Sequence, residues 1–77
     1  MSDTDVLLDC SGLICPLPVL RARKRLKDLA DGQVLRVLAT DKAAPRDFET
    51  FCREAGHGLL ENAGADGVYS FRIRKGG

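Results

Sequence analysis

The chain has 77 residues, and its 12 basic and 11 acidic side chains give a formal net charge of +1. This length predicts a single domain, residues 1–77, in which 1–4 and 75–77 are expected to be flexible. The balanced charge excludes a global attraction to nucleic acid, and no apolar run approaches the roughly 18 residues that span a membrane. Three cysteines are an odd number for a disulfide framework, and the acidic start does not have the pattern of a signal peptide. We therefore expect a cytoplasmic protein with reduced thiols and no membrane partner.

The first half of the chain predicts a strand, a helix and a second strand. Residues 5–10 alternate in hydrophobicity, which places Val6, Leu8 and Cys10 on one face of the first strand. A helix is predicted over 16–30, followed by Gly32 as a left-handed cap. The apolar stripe of this helix comprises Val19, Ala22, Leu26, Leu29 and Ala30. The second strand is predicted over 33–40.

The second half predicts a helix and a hairpin. Pro45 opens the helix and Gly56 ends it, with a core face made of Phe48, Phe51, Cys52 and Ala55. A weak third strand over 58–63, a turn over 64–67 and a fourth strand over 68–74 follow. The order β-α-β-α-β-β predicts an α/β two-layer sandwich, a mixed four-stranded sheet with two helices on one face. The first two strands should be parallel and the last two antiparallel.

Cys15 lies between the first predicted strand and the first predicted helix, directly before Pro16 and close to Pro18. Both prolines are tolerated there because the first amides of a helix have no intrahelical partner. At a helix N-terminus the helix dipole favours the thiolate, so we expect a lowered pKa for Cys15 and a nucleophilic sulfur. The alternative is an inert cysteine that packs as a small apolar side chain.

The neighbours of Cys15 have two interpretations each. Gly12 is predicted to form a turn with positive φ that leads into the helix. Asp9 either accepts hydrogen bonds from the amides of that turn or is a solvated carboxylate at a strand end. Cys52 is predicted to pack in the core. Cys10 is expected on the inward face of the first strand, and the alternative is a resolving thiol that forms a disulfide with Cys15.

A zinc site is an alternative interpretation of four residues that are ligand types of a three-cysteine, one-histidine set: Cys10, Cys15, Cys52 and His57. Cys52 is expected on a core face, and Pro16 stiffens the backbone beside Cys15. We therefore assign no metal and no cofactor.

A dense basic run lies on the first predicted helix. Of its members, Arg21, Lys24 and Arg25 fall away from the core stripe, and Arg46 stands at the start of the second helix. These four side chains form either a solvated face or a docking surface for acidic partner proteins. No aromatic residues are interleaved with them, so sequence-specific nucleic-acid binding is not expected.

A family resemblance rests on these same positions. The sequence resembles the TusA-like (SirA-like) sulfur carriers from about Val6 to its tail, with Asp9, Gly12, Cys15-Pro16-Leu17-Pro18, Arg46-Asp47 and Cys52 in the family pattern. The resemblance implies the same two-layer sandwich. It also implies a sulfurtransferase in which Cys15 is the catalytic residue and becomes a persulfide. The site-shaping residues would then be Asp9, Gly12, Pro16 and Pro18.

The resemblance further implies two kinds of partner: a cysteine desulfurase or other sulfur donor, and a downstream sulfur-acceptor protein. The sulfur would go to tRNA 2-thiolation, molybdenum-cofactor biosynthesis or sulfur oxidation. Leu17 departs from the acidic residue of the carriers closest to tRNA thiolation, so the destination stays open. Two other functions compete: a noncatalytic interaction or regulatory module in which Cys15 packs, and a dithiol redox protein that uses Cys10 and Cys15.

Overall fold

The computed structural model describes residues 5–76, so the predicted flexible end at 1–4 and the final Gly77 lie outside the described residues. The elements in chain order are β1 (Val6–Cys10), α1 (Leu17–Lys27), β2 (Val34–Ala39), α2 (Ala44–Ala55), β3 (Gly58–Ala65) and β4 (Val68–Arg74). This is the predicted β-α-β-α-β-β order. Neither α1 nor α2, the helices within 5–76, has the length and hydropathy of a membrane span.

The four strands form one mixed sheet in the order β1-β2-β4-β3. β1 and β2 are parallel, with Cys10 opposite Ala39 at their carboxyl ends. β4 is antiparallel to both β2 and β3. The predicted parallel and antiparallel pairs are confirmed. Because β1 and β2 end at the same edge of the sheet, the loops that follow them are neighbours.

Both helices cover one face of this sheet, as predicted. The buried side chains of the central strands are Leu35, Val37, Ala39, Phe71 and Ile73. α1 packs Ala22 and Leu26 against them, and α2 packs Phe48 and Cys52. The rings of Phe48 and Phe71 stack with their centroids 4.6 Å apart, which joins α2 to β4.

The largest differences from the predicted element boundaries lie at the ends of α1 and β3. α1 ends at Lys27, and Ala30 is exposed, so Ala30 does not belong to the apolar stripe, whereas Leu29 is buried beyond the helix end. The side chain of Gln33 explains the early end, since its Oε1 accepts the Ala30 N–H at 3.1 Å. β3 extends to Ala65, which leaves a turn at residues 66–67 in the left-handed region, with φ of 54° and 80°.

The end of the described chain is attached to the α1–β2 connection. The Lys75 N–H donates to the Gln33 carbonyl at 2.9 Å, and the Lys75 carbonyl accepts from the Gly32 N–H at 2.9 Å. The Gly76 N–H donates to Nδ1 of His57 at 3.0 Å. Of the three residues at 75–77 that were expected to be flexible, Lys75 and Gly76 are therefore held by hydrogen bonds.

Candidate functional site

The loop after β1 folds through a tight turn that Asp9 and Gly12 shape. The Ser11 N–H donates to Oδ1 of Asp9 at 2.9 Å, and hydrogen bonding with Ser11 holds the pKa of Asp9 below its usual value. Gly12 has a φ of +82°, a conformation that residues with a Cβ rarely adopt. The Leu13 N–H then donates to the Cys10 carbonyl at 3.1 Å, which closes the turn.

The same loop is bound to the residues that follow β2. The Gly12 N–H donates to Oγ1 of Thr40, and the Cys15 N–H donates to Oδ2 of Asp41, both at 2.9 Å. The sequence analysis missed Thr40 and Asp41 as site residues. The predicted parallel pairing of β1 and β2 was the signal that could have found them, because it places the two following loops side by side.

Cys15 lies one residue before the N-cap of α1. Its peptide bond to Pro16 is cis, Pro16 is the N-cap, and the helix begins at Leu17 rather than at Pro16. Pro18 is the second helical residue and is buried. The Leu17 N–H donates to the Ile14 carbonyl at 2.9 Å, so the backbone on both sides of Cys15 is held while its side chain remains exposed.

Two carboxylates lie beside the Cys15 thiol. Its Sγ and one oxygen each of Asp41 and Asp47 are within 4.8 Å of one another. A hydrogen bond to Asp47 raises the pKa of Cys15, and desolvation and the charges of Asp47 and Asp41 add to this effect. The expected lowering of the Cys15 pKa is therefore wrong, because the hydrogen bond to Asp47, desolvation and the two negative charges all favour the neutral thiol. The sequence analysis named Asp47 only as part of the family pattern and did not indicate its proximity to Cys15.

A cleft of about 350 Å³ separates α1 from α2 beside Cys15. Two basic side chains, Arg23 and Arg46, line it together with acidic Asp47 and Glu54. The guanidinium of Arg23 lies 5.6 Å from the ring centroid of Phe51, in a cation–π arrangement. Arg23 was noted in the sequence only as part of a basic run, so its position in the cleft is a finding of the structure.

The four basic residues predicted to dock partners are not gathered in one place. Arg46 lines the cleft with Cys15, whereas Arg21, Lys24 and Arg25 lie outside its lining. Arg21 and Lys24 are exposed, and Arg25 is 3.9 Å from the Asp28 carboxylate. Close to Cys15 in the chain, three apolar side chains are also exposed to solvent: Ile14, Leu17 and Leu20.

The remaining cysteines are buried and unpaired. Cys10 is 1% exposed and Cys52 is 2% exposed, and all three thiols are free. Burial raises the pKa of Cys10 above its ordinary value and that of Cys52 to about 11. Within residues 5–76, the four members of the zinc set considered above do not come within ligand distance of one another. Of the three cysteines, all within residues 5–76, Cys15 is therefore the one that is exposed to solvent.

Comparison with known proteins gives the family. The sequence profile described as sulfurtransferase TusA matches residues 6–75. The sulfur carrier protein TusA of Allochromatium vinosum is 47% identical over 75 residues, which cover 97% of this chain and 99% of that protein. The sulfur carrier protein TusA of Pseudomonas paraeruginosa is 44% identical over 71 residues, or 92% of this chain and 90% of the relative.

A solved structure agrees with the sequence relatives. The crystal structure of the SirA-like protein from Desulfitobacterium hafniense superposes with a TM-score of 0.81 at 30% identity, covering 94% of this chain and 99% of that one. The profile match, the two relatives and this structure agree over almost the whole described chain. The protein therefore belongs to the TusA (SirA-like) family.

Proposed function

We propose that this protein is a cytoplasmic sulfur carrier that holds sulfane sulfur as a persulfide on Cys15. The observation that carries the proposal is that the Cys15 thiol is exposed, whereas Cys10 and Cys52 are buried, and that it lies on a loop fixed by hydrogen bonds to Thr40 and Asp41. Family membership supports sulfur transfer as the chemistry. The donor is a cysteine desulfurase or another persulfide-bearing protein. The acceptor is a partner protein in tRNA thiolation, molybdenum-cofactor biosynthesis or sulfur oxidation.

The transfer needs no external oxidant. The Cys15 sulfur attacks the terminal sulfur of a donor persulfide, R–S–SH, so that a new S–S bond forms and the donor S–S bond breaks. The donor sulfur leaves as a thiolate and takes up one proton, and the proton of the Cys15 thiol is released. The products are R–SH and the Cys15 persulfide. Attack by an acceptor thiol on the terminal sulfur of that persulfide repeats the exchange and regenerates Cys15.

The surface around Cys15 suits brief docking to more than one partner. Exposed charges raise association rates without a large permanent interface, and Arg21, Lys24, Arg25 and Arg46 provide them in this proposal. In this proposal the exposed apolar side chains of Leu17 and Leu20 add a small apolar contact to a complex that dissociates quickly. In this proposal Asp9, Gly12, Pro16 and Pro18 shape the loop and take no part in bond making.

Sulfur loading tests the proposal. The protein is incubated with a cysteine desulfurase and cysteine, and its intact mass is measured without reductant. We expect a gain of one sulfur atom in the parent and in Cys10→Ala, and no gain in Cys15→Ser. Loading of Cys15→Ser would overturn the assignment. Loss of loading in Cys10→Ala, with the fold intact by circular dichroism, would favour the dithiol function instead.

Docking is tested separately from chemistry. Replacement of Arg21, Lys24 and Arg25 by serine should slow persulfide transfer to a partner and weaken its dependence on salt. Alkylation of Cys15 by a small neutral reagent should stay nearly unchanged, since none of the three lines the cleft. Equal transfer rates for variant and parent at low salt would show that these side chains form only a solvated face.

A further inference from the structure

The two carboxylates beside Cys15 lack a cationic partner within the described chain. Asp41 uses Oδ2 to accept the Cys15 N–H, and a carboxylate oxygen of Asp47 lies within 4.8 Å of the Cys15 Sγ. The ion pairs among residues 5–76 join Arg25 to Asp28 and Arg72 to Asp5, so neither carboxylate takes part in one. An exposed nucleophile is thus flanked by two uncompensated negative charges.

Other charged groups near the cleft do not relieve this arrangement. Arg23 and Arg46 line the same cleft, as does Glu54, but neither guanidinium forms an ion pair with Asp41 or Asp47. Arg23 lies over the Phe51 ring instead. The charges that act on the thiol are those of the two aspartates, and both disfavour the thiolate. The thiolate is the form that attacks sulfur, so the free protein holds Cys15 in its less reactive form.

We propose that the sulfur donor inserts a cationic side chain, Arg or Lys, between Asp41 and Asp47, and that this contact frees Cys15 to react. The inference rests on the proposed function, because it concerns the protein that donates sulfur to Cys15 and requires a positive charge on the surface of that donor. An opposite charge within about 4–6 Å favours an ionised group, so a docked cation offsets the two carboxylates. The Cys15 proton passes to water as the thiolate forms.

This arrangement has a use in a carrier. Outside a complex the thiol resists alkylation and oxidation, both of which need the thiolate. Inside a complex the partner's cation restores nucleophilicity at the moment of transfer. Partners that lack a cation at this place would dock without activating Cys15, so the carboxylate pair also selects among partners.

The first test measures the rate of Cys15 alkylation by iodoacetamide, a neutral reagent, across pH. Asp47→Asn and Asp41→Asn each remove one charge, and asparagine keeps an oxygen that can accept the Cys15 N–H. Each should raise the rate at neutral pH by about fivefold, as expected for one charge about 4 Å away in water, and should move the pH midpoint downward. Glu49→Gln, on the exposed face of α2 and outside the cleft lining, is the matched control and should leave the rate unchanged.

The second test supplies the cation. Hexa-arginine added to the parent should accelerate alkylation of Cys15, and hexa-glutamate should not. In the Asp41→Asn/Asp47→Asn double variant the acceleration by hexa-arginine should disappear. Thermal melts show whether each variant is folded. If one single variant does not fold, the other still measures the effect of removing one carboxylate charge on the alkylation rate.

The outcomes separate this inference from the proposed function. The proposed activation by a cation is overturned if both single variants are alkylated at the rate of the parent. It is also overturned if hexa-arginine accelerates alkylation of the parent and of the double variant equally. Sulfur loading of the parent by a desulfurase is unaffected by that result. Conversely, the parent could show acceleration by hexa-arginine that depends on Asp41 and Asp47 but take up no sulfur. That result would refute the carrier function and leave the cation-dependent activation of Cys15 standing.

Discussion

Cys10, Cys15 and Cys52 carry the same thiol in three environments, and the environment decides what each can do. Cys10 and Cys52 pack in the core between sheet and helices, where burial disfavours their ionised forms. Cys15 is exposed, and its ionisation is governed by Asp41 and Asp47 rather than by burial alone. Exposure therefore distinguishes Cys15 from the other two cysteines, and the neighbouring charges affect its ionisation.

Because the pKa of Cys52 is raised to about 11, the stability of the fold should decrease at alkaline pH. The unfolded chain ionises this thiol at its ordinary value of 9.0, so the stability that the neutral thiol contributes is present below that pH and is lost as pH rises toward about 11. The free energy of unfolding of the parent should fall more between about pH 8 and about pH 10.5 than that of Cys52→Ala.

Urea unfolding under reducing conditions at the two pH values measures this difference. The variant loses packing at both pH values, so that cost cancels and only the ionisation of Cys52 remains. An identical decline in parent and variant would contradict a buried thiol at this position.

At the scale of elements, the loop that holds Cys15 depends on the parallel pairing of β1 with β2. That pairing brings Thr40 and Asp41 to the loop, where they accept the backbone N–H groups of Gly12 and Cys15. The loop is therefore fixed by a strand that is distant in sequence. Its own turn chemistry, at Asp9 and Gly12, supplies only part of its order.

Thr40→Val tests this anchoring, because valine keeps the shape of threonine and removes the hydroxyl. We expect a loss of stability of about 1 kcal/mol or less, since water can replace an exposed acceptor. The amide hydrogen of Gly12 should exchange faster. The amide of Leu13, which donates to the Cys10 carbonyl, is the internal control. Unchanged exchange at Gly12 would argue against the Thr40 contact.

At the scale of the whole molecule, a single small core supports the site. A domain of this size buries only about 60% of the surface of its unfolded chain, so each core residue carries a large share of the stability. Leu26 is 2% exposed and joins α1 to the sheet, whereas Leu20 on the same helix is 50% exposed. The two leucines differ in burial and not in chemistry.

Leu26→Ala should destabilise the fold by about 2–5 kcal/mol, because it removes buried methyl groups and leaves a cavity. Leu20→Ala should change stability by about 0.5 kcal/mol or less, as surface substitutions usually do. Since small domains have about 5–15 kcal/mol in total, Leu26→Ala should lower the melting temperature strongly. Equal effects of the two substitutions in urea titrations would show that α1 does not pack as described.

Local patterns were sufficient for much of the fold. The period of two in β1 and the helical spacing of Phe48, Phe51 and Cys52 identified core faces that the structure confirms. Ala55, which was predicted on the same face of α2, is exposed. Gly56 ends α2 in a left-handed conformation, as expected of glycine after a helix. The end of α1 was misplaced because the Gln33 side chain bonds the Ala30 N–H, a contact that hydrophobic spacing does not encode.

The sequence by itself determined the order of the elements, the core faces and the position of Cys15 ahead of a proline-bearing helix, because these follow from side-chain period and backbone preferences within a few residues. Only the tertiary structure decided the pairing of β2 with β4 and the approach of Asp41 and Asp47 to the thiol. The Cys15 N–H and its Asp41 acceptor are 26 positions apart in the chain. An ionisation equilibrium responds to charges within a few ångströms regardless of that separation, so the folded chain, and not the motif, determines how readily the Cys15 thiol ionises.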